Sequence, residues 1–422
     1  MALVIGLSFA GIGNGHAQLS YNDHKPQIAT PKTGDTVRSR PNEQFDALGI
    51  RAGSSRIYPT LGVYGLYDDN VFAVDSPDEE SDIALLLSPA VEVVSDWNRH
   101  ELLFFVGGDF AFYDDFSSED YKNLTLQTQA TIDITRASHV VIFGSFRDMV
   151  EPRGDPDAVF TGLEPVKYEQ IDVGLQFYRH VGKIRLSAGG AFVGLNYKNR
   201  ERLDLDELIN SDRDRQIFRV NARVDYEFQT NLGLFVDFSY NWRDYDLTED
   251  RTGVTRDSEG YEITAGIDVR LTELIFGYAY IGYSRQKYEQ PFFEDVKGLA
   301  FGIDIDWNVT ELTTITIGAA RRIEDTIQPG ASSYYWDRVT FRIDHELTRR
   351  LLLSVNAMFG RNRFQQIDRD DDVWAIGAEA QYRLNRHLVL NLRYLHEDRS
   401  TDFADIESYK RNIILFGIEA RY

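Results

Sequence analysis

The chain has 422 residues, 43% hydrophobic, 13% aromatic and 27% charged, and it contains no cysteine, so disulfides and thiolate metal sites are excluded. Its formal net charge of -22 and pI of about 4.8 argue against a nucleic-acid partner. Mean hydropathy is -0.36, and beyond residue 20 no run of about 18 apolar residues occurs, which leaves no candidate membrane helix.

The N-terminus, MALVIGLSFAGIGNGHAQ, reads as an apolar core followed by small residues, an export signal over residues 1–17 that lacks the usual positive start. Residues 18–53 are polar, broken by Pro26, Pro31 and Pro41, and show no periodicity, so a flexible periplasmic lead-in is expected. From residue 54 to 422 segments of about ten residues alternate strictly between apolar and polar, the period of a β-strand. In LGLFVDFSYNWRDY, Leu232, Leu234, Val236, Phe238, Tyr240 and Trp242 share one face, opposed by Gly233, Asp237, Ser239, Asn241 and Arg243. The same pattern recurs around Phe218–Tyr226, Tyr261–Leu271, Leu299–Trp307, Trp374–Tyr382 and Ile414–Tyr422. About 18 such segments are predicted, an even number as single-chain bacterial barrels have. The first, second and eleventh are faint because both of their faces are apolar.

Connections alternate too. Short turns such as Trp97–His100, Arg136–His139, Thr348–Arg350 and Asn385–His387 face longer acidic stretches such as DDNVFAVDSPDEESD, KNRERLDLDELINSDRD and EDRSTDFADIES. Short turns at one end and long loops at the other predict an all-β, transmembrane antiparallel up-and-down barrel of the bacterial outer membrane, with the short side in the periplasm. Aromatics fall at both strand ends: Tyr113, Tyr197, Trp242, Tyr245, Tyr334, Tyr335, Trp336, Tyr394 and Tyr409 toward the loops, and Trp97, Phe177, Tyr178, Phe228, Trp307, Tyr382 and Tyr422 toward the turns. They are expected to form two interfacial girdles. The last segment, with Gly417 and the terminal Tyr422, matches an outer-membrane assembly signal, although Leu415 stands where a polar residue is usual.

With the apolar face on lipid, the lumen receives Arg219, Arg223, Asp225, Asp237, Arg243, Asp268, Arg270, Asp304, Asp306, Arg338, Arg342, Glu379, Arg383 and Arg393, a hydrophilic wall of both charges. Such a wall suits polar solutes, sugars above all. It equally suits charge ladders that merely stiffen the sheet. Asp68, Asp69, His396, Glu397 and Asp398 lie at the rim and offer an acid/base set in geometry only. No serine nucleophile stands at a convincing spacing, so no catalytic residue and no enzyme is expected. Acidic runs such as Asp368–Asp372 lack calcium-loop spacing, and no metal or cofactor is expected.

Residues 37–73, VRSRPNEQFDALGIRAGSSRIYPTLGVYGLYDDNVFA, resemble the opening of the putative beta-barrel porin type 2 family of proteobacterial outer-membrane proteins. The matching strings are Arg40-Pro41, Gly49 to Gly53, Tyr58-Pro59 and Asp68 to Phe72. The resemblance implies a large barrel, often tied to exopolysaccharide or capsule export, with no catalytic residues to carry over. Ser54-Ser55-Arg56 departs from the family's phenylalanine-rich first strand and puts that strand's pairing in question. The expected role is therefore the outer-membrane conduit of an exopolysaccharide export system. Its alternatives are a general or sugar-selective diffusion porin and, third, a surface hydrolase. Implied partners are outer-membrane lipid and lipopolysaccharide, the barrel-assembly machinery, periplasmic polysaccharide export proteins, and polysaccharide or small sugars as cargo. Asp68, Asp69 and Asn70 are read as solvated residues where the first strand leaves the membrane, Asp69 and Asn70 being tolerant of tight turns.

Overall fold

The computed structural model describes residues 34–158, 164–201, 207–208, 210–229, 231–250, 252–272, 274–403 and 406–422. The export signal and the start of the lead-in lie outside the described residues. Eighteen long strands form one sheet among the described residues. The first nine are β1 (Ser55–Asp68), β2 (Asp82–Ser95), β3 (Glu101–Tyr113), β4 (Tyr121–Thr135), β5 (Ser138–Val150), β6 (Lys167–Val181), β7 (Ile184–Tyr197), β8 (Arg215–Gln229) and β9 (Leu232–Tyr245). The remaining nine are β10 (Ser258–Thr272), β11 (Ile275–Tyr288), β12 (Val296–Thr310), β13 (Thr313–Asp325), β14 (Ser333–Thr348), β15 (Leu351–Phe364), β16 (Asp370–Arg383), β17 (Leu388–Thr401) and β18 (Tyr409–Arg421).

Each strand pairs antiparallel with its sequence neighbours, and β18 returns to β1 with register Thr60↔Arg421 through Asp68↔Ile413. The sheet is thereby a closed up-and-down barrel with no free edge among these strands, so backbone polar groups are satisfied within the wall. The first strand, whose pairing was in question, is paired with β2 over its whole length, Ser55↔Ser95 to Asp68↔Asp82. A three-residue strand, Ile50–Ala52, folds back on its start through Gly53, whose φ of 62° suits a residue without Cβ.

Side chains divide as the period of two requires. Leu234, Val236, Phe238, Ile263, Val339, Val355, Ile376, Phe416 and Ile418 are exposed on the outside, where lipid lies. The inward face is not uniformly polar. Tyr64, Leu66, Ala84, Leu86, Ala111, Ala375, Leu395, Ile413 and Leu415 point inward and pack together on the wall formed by β16–β18 and β1–β3. On β11 the inward set begins with Phe276, buried under residue Gly34 of the lead-in. The faint alternation of the first, second and eleventh strands thus has a cause: their second face is apolar because it packs inside the barrel.

Candidate functional site

The lumen gathers its charge in clusters. One lies on β7, β8 and β10: Arg185 Nη2 donates to Asp225 Oδ1 at 2.8 Å, and Arg223 Nη2 reaches Asp225 Oδ1 at 2.7 Å and Asp268 Oδ2 at 2.9 Å. The guanidinium of Arg223 also lies 3.6 Å from the centre of the Phe235 ring. A second lies on β14–β17, where Arg342 Nε donates to Asp344 at 3.1 Å and Arg393 Nη2 to Glu379 Oε1 at 3.2 Å. Ladders of this kind hold neighbouring strands in register and leave charged edges for water.

Arg219, Asp237, Arg243, Asp304, Asp306, Arg338 and Arg383 also stand on the inward face. Arg243 pairs with Asp325 near the outer end, Asp306 accepts the Thr316 hydroxyl at 2.5 Å, and Arg383 Nη1 approaches the Arg349 carbonyl at 3.5 Å. The Arg270 side chain lies outside the described residues. Gly417 pairs with Tyr64 across the closing seam, and Tyr422 is exposed at the short-turn end, its backbone N–H donating to the Pro59 carbonyl.

Two segments narrow this lumen. Residues 34–46 do not hang free below the barrel, contrary to the flexible lead-in expected there; they follow its inner wall from β11 to β18. The Val37 N–H donates to the Thr314 hydroxyl at 2.9 Å, and Arg38 Nη2 reaches Ser354 at 2.8 Å and Glu379 Oε2 at 2.9 Å. Arg40 pairs with Glu346 at 3.1 Å, while Phe45, 3% exposed, offers its carbonyl to Arg421 at 3.0 Å. The order Phe276, Thr314, Asp344, Glu379, Arg421 along the wall is what lays the segment inside rather than across the turns.

At the outer mouth residues 151–158, between β5 and β6, reach toward the far wall. Glu151 pairs with Arg213, and Arg153 with Glu119. Asp157 accepts the Thr326 hydroxyl at 2.5 Å, Pro156 offers its carbonyl to Arg369 at 3.0 Å, and Gly154 to Arg399 at 3.4 Å. Thr326 lies between β13 and β14 and Arg399 near the outer end of β17, so one loop ties together nearly opposite sides. Burial holds the Asp155 and Asp157 carboxyls above the usual aspartate range; for Asp155 the neighbouring Glu151 and Asp157 add to the effect, whereas Arg213 opposes it at Asp157.

The string Asp68-Asp69-Asn70 is not a solvated exit. Asp68 is 0% exposed and receives both oxygens' worth of hydrogen bonds from Arg411 of the last strand, Nε lying 2.9 and 3.0 Å away. Asp69 accepts the backbone N–H of Asn412 at 2.5 Å and its side-chain amide at 2.6 Å, and Asn70 Nδ2 donates to the Lys410 carbonyl at 2.9 Å. Three consecutive polar residues therefore fasten the first strand to the last. The correction has a physical reason: a carboxylate buried at a seam is stable only with a charged partner, and β18 supplies one. His396 Nδ1 lies 2.8 Å from Oδ1 of Asn412, the residue that Asp69 also holds, so Asp68, Asp69 and this histidine are engaged where the last strand meets the first, while Asp398 lies 3.8 Å from Lys410.

The outer aromatic girdle also needs correction. Trp242 and Tyr394 face lipid, but Tyr197, Tyr334, Trp336 and Tyr409 are buried facing inward, and Tyr113 packs against the separate apolar wall cluster of Leu66, Ala84 and Leu86. Beyond the lipid boundary strands continue into folded loops, and aromatics there seal loop against wall. Alternation distinguishes the two faces, since Trp336 and Arg338 share a parity; the position along the strand does not. The lead-in contacts and the inward loop were not legible, because both depend on tertiary partners far away in sequence.

The family model of putative beta-barrel porin 2 matches residues 42–422. No curated protein matches the sequence. Among solved structures the chain is similar to the outer membrane protein OpdK of Pseudomonas aeruginosa, with 13% identity over 87% of this chain and 99% of that one and a TM-score of 0.45. It is also similar to OccK2 (OpdF) of Pseudomonas aeruginosa, 12% identical over 87% and 97% with a TM-score of 0.47. A BenF-like porin of Pseudomonas fluorescens Pf-5 is 11% identical over 87% and 98%, with a TM-score of 0.46.

Proposed function

The chain belongs to the putative beta-barrel porin 2 family, an outer-membrane porin by family and barrel, and from that premise we propose that it is a selective diffusion channel for small polar solutes such as sugars. The observation that carries this reading is a charged lumen narrowed at both ends, by Arg38 and Arg40 below and by residues 151–158 above. Charged walls keep water in the channel, and narrowing makes passage depend on solute size and on hydrogen bonding. The same narrowing counts against a passive exopolysaccharide conduit, the role the family resemblance first suggested. A polymer would need both segments displaced at once.

The family's porins are channels rather than enzymes, and Asp68 and Asp69 at the rim here serve the seam. Insertion by the barrel-assembly machinery through Gly417 and Tyr422, contact of the acidic loops with lipopolysaccharide, and any periplasmic partner below the lead-in belong to the same proposal. Its test is conductance of the purified barrel in planar bilayers, with liposome swelling in sugars of increasing size. Steady conductance and a sharp size limit support a selective channel. A silent barrel, or a gene deletion that abolishes surface polysaccharide while leaving sugar uptake unchanged, would overturn it.

A further inference from the structure

The inward arginines of the two wall clusters are answered by carboxylates. On β13–β15 the pattern changes. Arg322, Trp336 and Asn362 are cross-strand partners at one height of the wall, with Trp336 paired to each of the others. The Arg322 guanidinium lies 5.1 Å from the Trp336 ring centre and that of Arg338 lies 4.7 Å from it, so one indole holds two cations. Arg322 Nε and Nη1 are buried with no hydrogen-bond partner among the described residues. Among the described residues the Arg338 side chain has a single hydrogen bond, to the Asp337 carbonyl at 2.9 Å, because the Asp337 carboxylate points outward to Arg321 and Arg363. Asn362 is 0% exposed, and neither its amide nitrogen nor its oxygen has a partner among the described residues.

Carboxylates in the surroundings are otherwise committed or set apart: Asp371 is taken by Arg369 at 3.0 and 2.6 Å, and Glu324 lies one inward position further toward the outer mouth. Leaving donors desolvated and unmatched is costly, and a wall that tolerates it is prepared for a ligand that supplies the missing acceptors. We propose that Arg322, Arg338 and Asn362 form a binding subsite on the lumen wall for a hydroxylated carboxylate, such as a sugar acid or a small hydroxy acid. The guanidinium forks match a carboxylate, and each brings a charge that a neutral sugar cannot use. Asn362 adds an orphaned donor and an orphaned acceptor together; a hydroxyl satisfies both, whereas sulfate, fully ionised at neutral pH, has no proton to offer its oxygen. Trp336, buried against Tyr334 and Phe364, holds the cations in place and does not itself need to touch the ligand.

This subsite rests on the reading of the protein as a solute channel, and the two are separable by experiment. Gluconate, glucose, propionate and sulfate are titrated calorimetrically into the folded barrel in detergent at neutral pH, and conductance is recorded in parallel. Gluconate is expected to bind at least about ten-fold more tightly than glucose or sulfate, and R322Q and R338Q are each expected to weaken it about ten-fold, the size of a charge-assisted hydrogen bond. N362L should weaken gluconate while leaving propionate unchanged, a difference that mere loss of packing would not give. R322K, which keeps the charge and removes the fork, serves where R322Q fails to fold. Equal binding of gluconate and glucose, equal binding of gluconate and sulfate, or full binding by R322Q would overturn the subsite. A barrel that binds gluconate and never conducts overturns the channel reading instead.

Discussion

Arg38, near the start of the described chain, donates from Nη2 to Glu379 Oε2 of β16 at 2.9 Å, linking residues 341 positions apart in sequence. The contact converts a proline-broken segment into part of the lumen wall. Its Nε also reaches Asp344 at 3.3 Å, so one guanidinium bridges two strands.

Removing these anchors should open the inner mouth. Arg38→Ala with Arg40→Ala deletes the pairs to Glu379, Asp344 and Glu346. Both side chains are about one-third exposed, so solvent screening limits each arginine to about 1 kcal/mol over all its pairs. Together they lower the ratio of docked to undocked segment by roughly 5–30-fold. Larger and noisier single-channel conductance is expected, and high salt should produce the same change in the wild type. Unaltered conductance of the double variant would mean that the segment does not limit passage.

The seam pair should matter more to stability. Asp68 is wholly buried against Arg411, so Asp68→Ala leaves a guanidinium without its counter-charge at the closing edge. Breaking a buried pair on one side costs about 3–5 kcal/mol, while replacing both members by apolar residues is often close to neutral. Asp68→Leu combined with Arg411→Met should therefore recover much of the loss. Urea unfolding followed by the gel shift between folded and unfolded barrel measures both, and equal destabilisation by single and double variants would refute the pairing.

The outer loop should respond to pH. Burial raises the Asp155 and Asp157 carboxyls when residues 151–158 are docked, so the docked loop binds protons more tightly than the free one. Docking is then strongest in acid and weakens as pH rises from the ordinary aspartate value of about 3.9 through the raised ones. Conductance should increase with pH over that range. Asp155→Asn keeps an oxygen for the Asp157 N–H, found at 2.9 Å, and removes the charge. It should flatten the profile and hold the loop docked at neutral pH; a profile that instead steepens, or one that rises toward acid in the wild type, would contradict this account.

How much was legible follows from the range of each signal. Alternation is local, so the eighteen strands, their faces and the inward placement of Arg223, Asp225 and Arg342 could be read from short windows. Closure was implied by the count, but its fastening was not, since Asp68 and Arg411 are brought together only when the first strand meets the last. An acid-rich exit reads the same whether its carboxylates meet water or a guanidinium. Trp336 illustrates a second limit: an aromatic near a strand end has the same period whether it faces lipid or a folded loop. The lead-in is a third, because Arg38 has no neighbours in sequence that announce Asp344 and Glu379.

Gly417 gives the last test, and it joins the assembly signal to the seam. A Cβ at this position would lie 2.1 Å from the Val63 carbonyl oxygen and 2.5 Å from the Tyr64 ring, both on β1. The carbonyl is backbone and cannot swing away, so Gly417→Ala must shift β18 relative to β1 at the pair Tyr64↔Gly417. Overpacking of this kind costs about 1–3 kcal/mol. The strain acts where the two ends of the chain meet and should leave pairing elsewhere intact. Folded yield of Gly417→Ala is expected to fall, with lower resistance to urea in what does fold. Tyr422→Ala, at an exposed side chain, should lower assembly in cells while leaving the urea resistance of the refolded barrel close to wild type. If both variants lost stability equally, or if Gly417→Ala folded like the wild type, the glycine would not be the close-approach point of the seam.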